Sequence, residues 1–189
     1  MNFDPKQYWE DRLKGLCNLE GVGCAGRTKA WNAFLYKSKV RAMNRALSKL
    51  GLDIRGYKAL DIGTGVGFWI DYLLGKGVDS IIGIDIAPSS IELCKKKYSN
   101  LKNLKFVCGD ISNDIFVSEL GGYDLATAFD VLYHITDDDK FCAAIKNIAY
   151  ALNPGGYLFL TDILTFDSFL ASFSRFGVLT KLLVAKKRG

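Results

Sequence analysis

The segment Leu60-Asp61-Ile62-Gly63-Thr64-Gly65-Val66-Gly67 places three glycines at alternate positions directly behind a short apolar run. Such spacing lets a backbone turn tightly and lets a ligand come close to it. A helix starting beyond the turn would present unpaired N–H donors at its first residues. Asp85 closes the next apolar run, 22 residues after Gly63. An acid there can accept hydrogen bonds from both hydroxyls of a ribose. A plain tight turn followed by an aspartate N-cap is the structural alternative. The spacing departs from the dinucleotide fingerprint G-x-G-x-x-G, because Phe68 stands where the third glycine belongs. No Gly-Lys-Ser/Thr follows, which excludes a P-loop. Asp61 would repel a pyrophosphate but would favour a sulfonium or an α-ammonium group. These residues predict a cationic, phosphate-free adenosine cofactor in preference to a nicotinamide dinucleotide.

His134 is the one histidine of the chain. It is the candidate general base, since an ordinary imidazole titrates near neutrality. It follows an apolar run, Tyr123 to Phe129, by a few residues, which sets it near the ligand end of a sheet. Asp130 and Tyr133 flank it as candidates for contacts to an acceptor. A histidine that merely bonds locally is the alternative reading. Asp137-Asp138-Asp139 is read as an acidic helix start rather than a metal site, because carboxylates favour the positive end of a helix dipole. With one His and five scattered Cys, no metal is expected. The cysteines have no CxxC spacing and fit a reducing, cytoplasmic setting.

These side chains need elements to hold them. Strand-like runs are expected at 57–62, 80–85, 104–108, 123–129 and 157–161, and helical patterns at 68–74, 88–98 and 137–152. Alternation of this kind demands crossover connections and a mostly parallel sheet with helices on both faces. Ahead of it, residues 5–14 and 28–50 read as helices joined by a glycine-containing loop, forming a helical cap over residues 1–52 on an α/β core of residues 53–189. All 189 residues are expected to make one domain. The charge is lopsided, with 12 Lys/Arg against 5 Asp/Glu in residues 1–58 and 13 against 15 thereafter. Lys37, Arg41, Arg45 and Lys49 recur every four residues as a basic stripe. The stripe is read first as a solvated face, and otherwise as a steering surface for an anionic partner. No apolar run is long enough to span a membrane, and Met1 to Lys14 do not read as a secretory signal.

Leu60 to Gly67 resembles the first motif of class I S-adenosylmethionine-dependent methyltransferases, and Asp85 matches their ribose-binding acid. Cys108-Gly109-Asp110-Ile111 matches the segment that binds adenine. Phe129 to His134 matches the segment lining the methyl-transfer site, and Leu152-Asn153-Pro154-Gly155-Gly156-Tyr157-Leu158 matches the turn into the fifth strand. The resemblance spans residues 57–162. It implies a three-layer Rossmann-like fold, S-adenosylmethionine as cofactor, and cofactor contacts from Asp61, Gly63, Thr64, Gly65, Asp85 and Ile86. Asp110, Ile111 and Phe129 are implied as further contacts. The N-terminal Tyr8-Trp9-Glu10-x-Arg12-Leu13, with Trp31 and Tyr36, is similar to a small-molecule subgroup whose N-terminal helices cover the cofactor. Tyr8, Trp9, Trp31 and Tyr36 are accordingly lid or pocket candidates, with plain helix packing as their alternative.

The expected acceptor is an O or N atom of a small molecule, and the basic stripe would favour an anionic one. Motifs of amino-methylating and cytosine-C5-methylating nucleic-acid enzymes are absent. After the fifth strand there is room for a short helix at 166–173 and one strand at 178–185, so an abbreviated sheet edge is expected, open to pairing with a second copy. The rival function is a non-catalytic cofactor-binding or partner-dependent module on the same fold.

Overall fold

The computed structural model describes residues 4–16, 18–113, 121–164 and 179–187. The chain begins with α1 (Pro5–Gly15), α2 (Leu19–Val22) and α3 (Lys29–Leu50). The Asp4 side chain caps α1, Asn18 caps α2 and Thr28 caps α3, each accepting from backbone N–H groups of the first turn. Gly51, in the left-handed region at φ 60°, ends α3. The four-residue α2 lies in what the sequence presents as a glycine-containing loop. A single helical turn is too short to show a period.

The core follows as β1 (Lys58–Ile62), α4 (Phe68–Gly75), β2 (Ser80–Asp85), α5 (Pro88–Lys97), β3 (Leu104–Cys108) and β4 (Tyr123–Ala128). A 3-10 turn (Leu132–His134), α6 (Asp138–Ala151), β5 (Leu152–Leu164) and β6 (Leu179–Lys186) complete the described elements. The six strands form one sheet in the order β3-β2-β1-β4-β5-β6, parallel except for β6. Period-two alternation sends neighbouring residues to opposite faces. Ala59, Ile81, Leu125 and Phe159 pack with α3, α4 and α5, whereas Leu60, Ile84, Ala126 and Leu158 pack with α6. The result is the expected three layers. Asp137 caps α6, and Asp138 and Asp139 fill its first turn, as the acidic helix start required.

The start of β5 differs from the sequence reading. The predicted turn at 153–156 belongs to the start of β5, where the pairing register with β4 shifts. Gly155 N donates to Lys187 O, and Lys187 N donates to Gly156 O, so the end of β6 draws this segment into the sheet. β6 pairs with β5 antiparallel, as the single expected edge strand. The expected helix at 166–173 lies outside the described residues. Among those described, no helix is long and apolar enough to cross a membrane.

Candidate functional site

The strand order reverses between β1 and β4, and a parallel sheet opens its ligand crevice at the carboxyl ends of strands beside such a point. A cavity of about 860 Å³ lies there, roofed by α1. Gly63 and Gly65 shape its floor, at φ 71° and 52°. A Cβ on Gly63 would stand 2.1 Å from Val131 Cγ2, and one on Gly65 would stand 2.9 Å from Val22 Cγ1. Neither place tolerates a side chain.

Asp85 fixes this turn to the end of β2. Its Oδ2 accepts from Gly65 N at 2.8 Å and its Oδ1 from Ala87 N at 2.9 Å. Burial raises its pKa, and those N–H donors oppose the rise. An ionised carboxylate has about four acceptor sites, so roughly two remain for ligand hydroxyls. The residue lines the cavity. It does not cap α5, whose N-cap is Ala87.

Asp110 and Ile111 line the same wall, beyond β3. Asp110 Oδ1 accepts from Ser112 N and Ser112 Oγ, which sets its orientation. Asn147 of α6 donates to Ile111 O at 2.8 Å and pins the loop. Thr64, Ile86 and Phe129 also line the cavity, and Phe129 stacks on Trp69 at 3.9 Å between ring centroids.

Asp61 departs from expectation. It is buried and does not line the cavity. On β1 it shares the parity of Ala59, so its side chain points to the α3–α5 side of the sheet. There Thr127 Oγ1 donates to its Oδ1 at 2.6 Å and Thr64 Oγ1 to its Oδ2 at 2.9 Å. Burial pushes its pKa up to about 6. It supports the glycine turn from below instead of facing a ligand.

On the opposite side stand Asp130 and His134. Asp130 is the one non-glycine residue with positive φ among those described, at 61°. Its N–H donates to Thr161 Oγ1 at 2.8 Å, Thr161 Oγ1 donates to its Oδ1 at 2.9 Å, and Lys39 Nζ of α3 donates to its Oδ2. A strained backbone held by several bonds is a frequent mark of a working site. The His134 ring meets the edge of Trp9 at 5.0 Å between centroids and lies 4.4 Å from the Tyr133 ring. Burial holds its pKa below the usual histidine value, while the nearby Asp130 charge opposes that shift.

The aromatic lid candidates divide. Trp9 and Tyr36 line the cavity, whereas Tyr8, Trp31 and Tyr133 do not. Tyr8 is 37% exposed on the outer side of α1 and accepts from Arg12 Nη1. Trp31 is also 37% exposed and packs with Phe34 and Arg27. Tyr133 sits in the 3-10 turn beside His134, outside the cavity. The sequence reading missed Phe68, Trp69, Lys6 and Lys140, which all line the cavity, and Lys39 behind Asp130. Phe68 and Trp69 carried a usable signal, being the first residues after the glycine turn. Lys39 carried none, because it is one of several cations on a basic helix.

The roof is latched to the core. Glu10 of α1 accepts from Ser89 N at 2.9 Å and Ser89 Oγ at 2.7 Å, at the start of α5. Arg12 donates to Glu20 O and Gly23 O and lies over the Trp9 ring. Among the described residues, no group of three side chains comes together to hold a metal.

Known proteins with similar sequence or fold are informative against this geometry. A family model described as a methyltransferase domain matches residues 34–181. A ubiquinone biosynthesis O-methyltransferase of Coxiella burnetii is 29% identical over 113 residues, which are 59% of this chain and 46% of that protein. A tRNA U34 carboxymethyltransferase of Azotobacter vinelandii is 32% identical over 116 residues, covering 59% of this chain and 34% of that protein. The chain thus spans less than half the length of these relatives. The N-methyltransferase NodS from Bradyrhizobium japonicum, solved with S-adenosyl-L-homocysteine, superposes with a TM-score of 0.64 at 19% identity over 94% of this chain and 80% of its own.

Proposed function

This chain belongs to the methyltransferase domain family, and from that premise we propose that it binds S-adenosylmethionine and methylates an O or N atom of a small molecule. The observation that carries the reading is Asp85, a carboxylate with spare acceptor capacity, fixed by Gly65 N at the floor of a cavity that also holds His134. The cavity fits such a cofactor. Its size lies within the ~300–1,000 Å³ usual for ligand sites. The glycine turn leaves backbone open to close approach, and the wall alternates apolar and acceptor groups. Asp85 would receive the ribose hydroxyls, Asp110 and Ile111 the adenine, and the Gly63–Gly65 turn the amino-acid end.

Bound there, S-adenosylmethionine supplies an electrophilic methyl group on sulfur. The chain's own task is to hold an acceptor in line, exclude water and take up a proton. The acceptor's proton passes to the His134 ring, whose buried setting keeps it unprotonated at neutral pH. Trp9 and Tyr36 close the acceptor side, and Asp130 orients the acceptor. Lys6 and Lys140 at the cavity wall support an anionic group on the acceptor. Residues 1–52 act as a cap on the core, and the free cysteines among the described residues suit a cytoplasmic setting.

Calorimetric titration with S-adenosylmethionine and S-adenosylhomocysteine, with NAD as control, tests the reading. Micromolar binding of the sulfur nucleosides that disappears in Asp85→Ala is expected. NAD binding without them would overturn it. A second reading, a cofactor-binding module completed by a partner, is favoured by one observation: β6 ends the sheet with an unpaired outer edge among the described residues. Turnover of any acceptor by the isolated chain rejects it.

A further inference from the structure

Lys39 lies on α3, yet its ammonium reaches across to the core and pairs with Asp130 Oδ2. Both partners are mostly buried, at 16% and 20% side-chain exposure. It is the one ion pair among the described residues that joins the N-terminal helices to the sheet. Its setting is constrained on every side. Thr161 holds the other Asp130 oxygen and the Asp130 N–H, and Tyr36, a cavity residue, places its ring 5.4 Å from the ammonium. Asp130 itself is held in a left-handed conformation, uncommon outside glycine. One left-handed residue and two mostly buried charges are therefore committed to this pair. A buried pair is a weak source of stability, since desolvation offsets the attraction. Its placement four residues before the sole histidine points to an electrostatic purpose.

We propose that Lys39 is a positioning residue for methyl transfer: it fixes and neutralises Asp130, so that His134 presents an unprotonated ring nitrogen to the acceptor. This rests on the reading of His134 as the base. Without Lys39, the Asp130 carboxylate would stand uncompensated in a poorly solvated wall and draw a proton onto the imidazole. The other charged or titratable groups nearest the ring are Arg12 of α1 and Tyr133 beside it, and the shared cavity wall adds Asp4, Lys6, Tyr36, Asp85, Asp110, Asp137 and Lys140. Arg12 acts in the same sense as Lys39, but its guanidinium is tied to the Glu20 and Gly23 carbonyls. Lys39 is the cation bonded directly to the carboxylate that opposes the neutral ring.

Because the chain has a single histidine, its titration can be followed by NMR without knowing the acceptor. The expected result for Lys39→Met is a proton affinity of His134 raised about tenfold, the lower end of what a close opposite charge produces. Asp130→Asn should lower it, and the double variant should lie above Asp130→Asn alone and below Lys39→Met, because the Lys39 charge acts on the ring in either background. Lys39→Arg should keep the wild-type midpoint. An unmoved midpoint in Lys39→Met overturns the proposal, as does a midpoint that falls. If Lys39→Met does not fold, the Asp130→Asn titration decides: an unchanged midpoint there also overturns it. S-adenosylhomocysteine binding, measured separately on the same samples, tests the cofactor reading and does not enter this comparison.

Discussion

At the scale of single residues, two carboxylates on neighbouring strands have opposite duties. Asp85 ends β2 facing the cavity, bonded by Gly65 N and Ala87 N. Its replacement by Ala removes the proposed ribose acceptor and loosens the glycine turn together, so S-adenosylhomocysteine affinity is expected to fall by two orders of magnitude or more, read by calorimetry. Asp61 is buried under that turn with its pKa pushed up to about 6, above an unfolded value of 3.8. The native state therefore holds a proton that the unfolded chain has lost between these values. The associated stability is fully present below about pH 4 and is lost as pH rises through about 6, a difference on the order of 3 kcal/mol. Asp61→Asn should flatten that part of a denaturation-versus-pH curve, and an unchanged slope would count against the burial account. The place of Asp85 at the cavity was legible in sequence, because an acid ending the strand after a glycine turn stands at the ligand end of the sheet. Asp61 was misjudged by its nearness to the turn. Parity along β1, which it shares with Ala59, was the signal that should have sent it inward. Lys39 was illegible, since its partner is 91 residues away and nothing in its neighbourhood distinguishes it from the stripe around it.

At the scale of elements, the alternation of strands and helices was plain in the hydrophobic pattern, and the structure keeps it. What the pattern could not supply was how α1 meets the core. That contact depends on Glu10 reaching Ser89 at the first turn of α5, where free backbone N–H groups favour a carboxylate. The bonds from Ser89 hold the Glu10 pKa below its ordinary 4.5. A lowered acid stabilises the folded form above the unfolded pKa, and that contribution disappears as pH falls through the lower folded value. Glu10→Gln, or mild acid on the wild type, should therefore release α1 while the sheet stays intact. Hydrogen exchange checks this: amides of α1 should lose protection before those of β1 and β4. Trp9 would leave the cavity with the helix, so cofactor affinity should drop several-fold in Glu10→Gln, well short of the Asp85→Ala loss. The turn at 153–156 shows the limit of local reading in the other direction. Asn-Pro-Gly-Gly is turn chemistry by composition, yet Gly155 and Gly156 exchange backbone bonds with Lys187, a partner that no local window contains.

For the molecule as a whole, charge decides between kinds of acceptor. The excess of cations lies in residues 1–58, and α3 carries Lys29, Lys37, Lys39, Arg41, Arg45 and Lys49 without one acidic residue. Lys39 is engaged with Asp130. Lys37, Arg41, Arg45 and Lys49 are exposed and make no ion pair with a described residue. Like charges four apart on a helix repel by about 0.2–0.5 kcal/mol per pair at low salt. Arg41→Glu should accordingly raise the melting temperature in low salt, with the gain shrinking as salt screens both arrangements. The same stripe separates the acceptor classes, because these cations lie on the outer side of α3 and the cavity meets that helix through Tyr36. A small acceptor enters the cavity without touching them, so Arg41→Glu combined with Arg45→Glu should leave S-adenosylhomocysteine affinity unchanged, and binding of bulk tRNA should stay non-saturable at physiological salt. A polynucleotide acceptor would lie along the stripe and release counterions there, giving saturable binding with a steep salt slope that the double substitution reduces by about two. Fluorescence titration of labelled tRNA at several salt concentrations distinguishes these. Saturable, steep binding would move the acceptor from small molecules to nucleic acid while leaving the cofactor site as it stands, since Asp85 and the glycine turn line the cavity and the stripe residues do not.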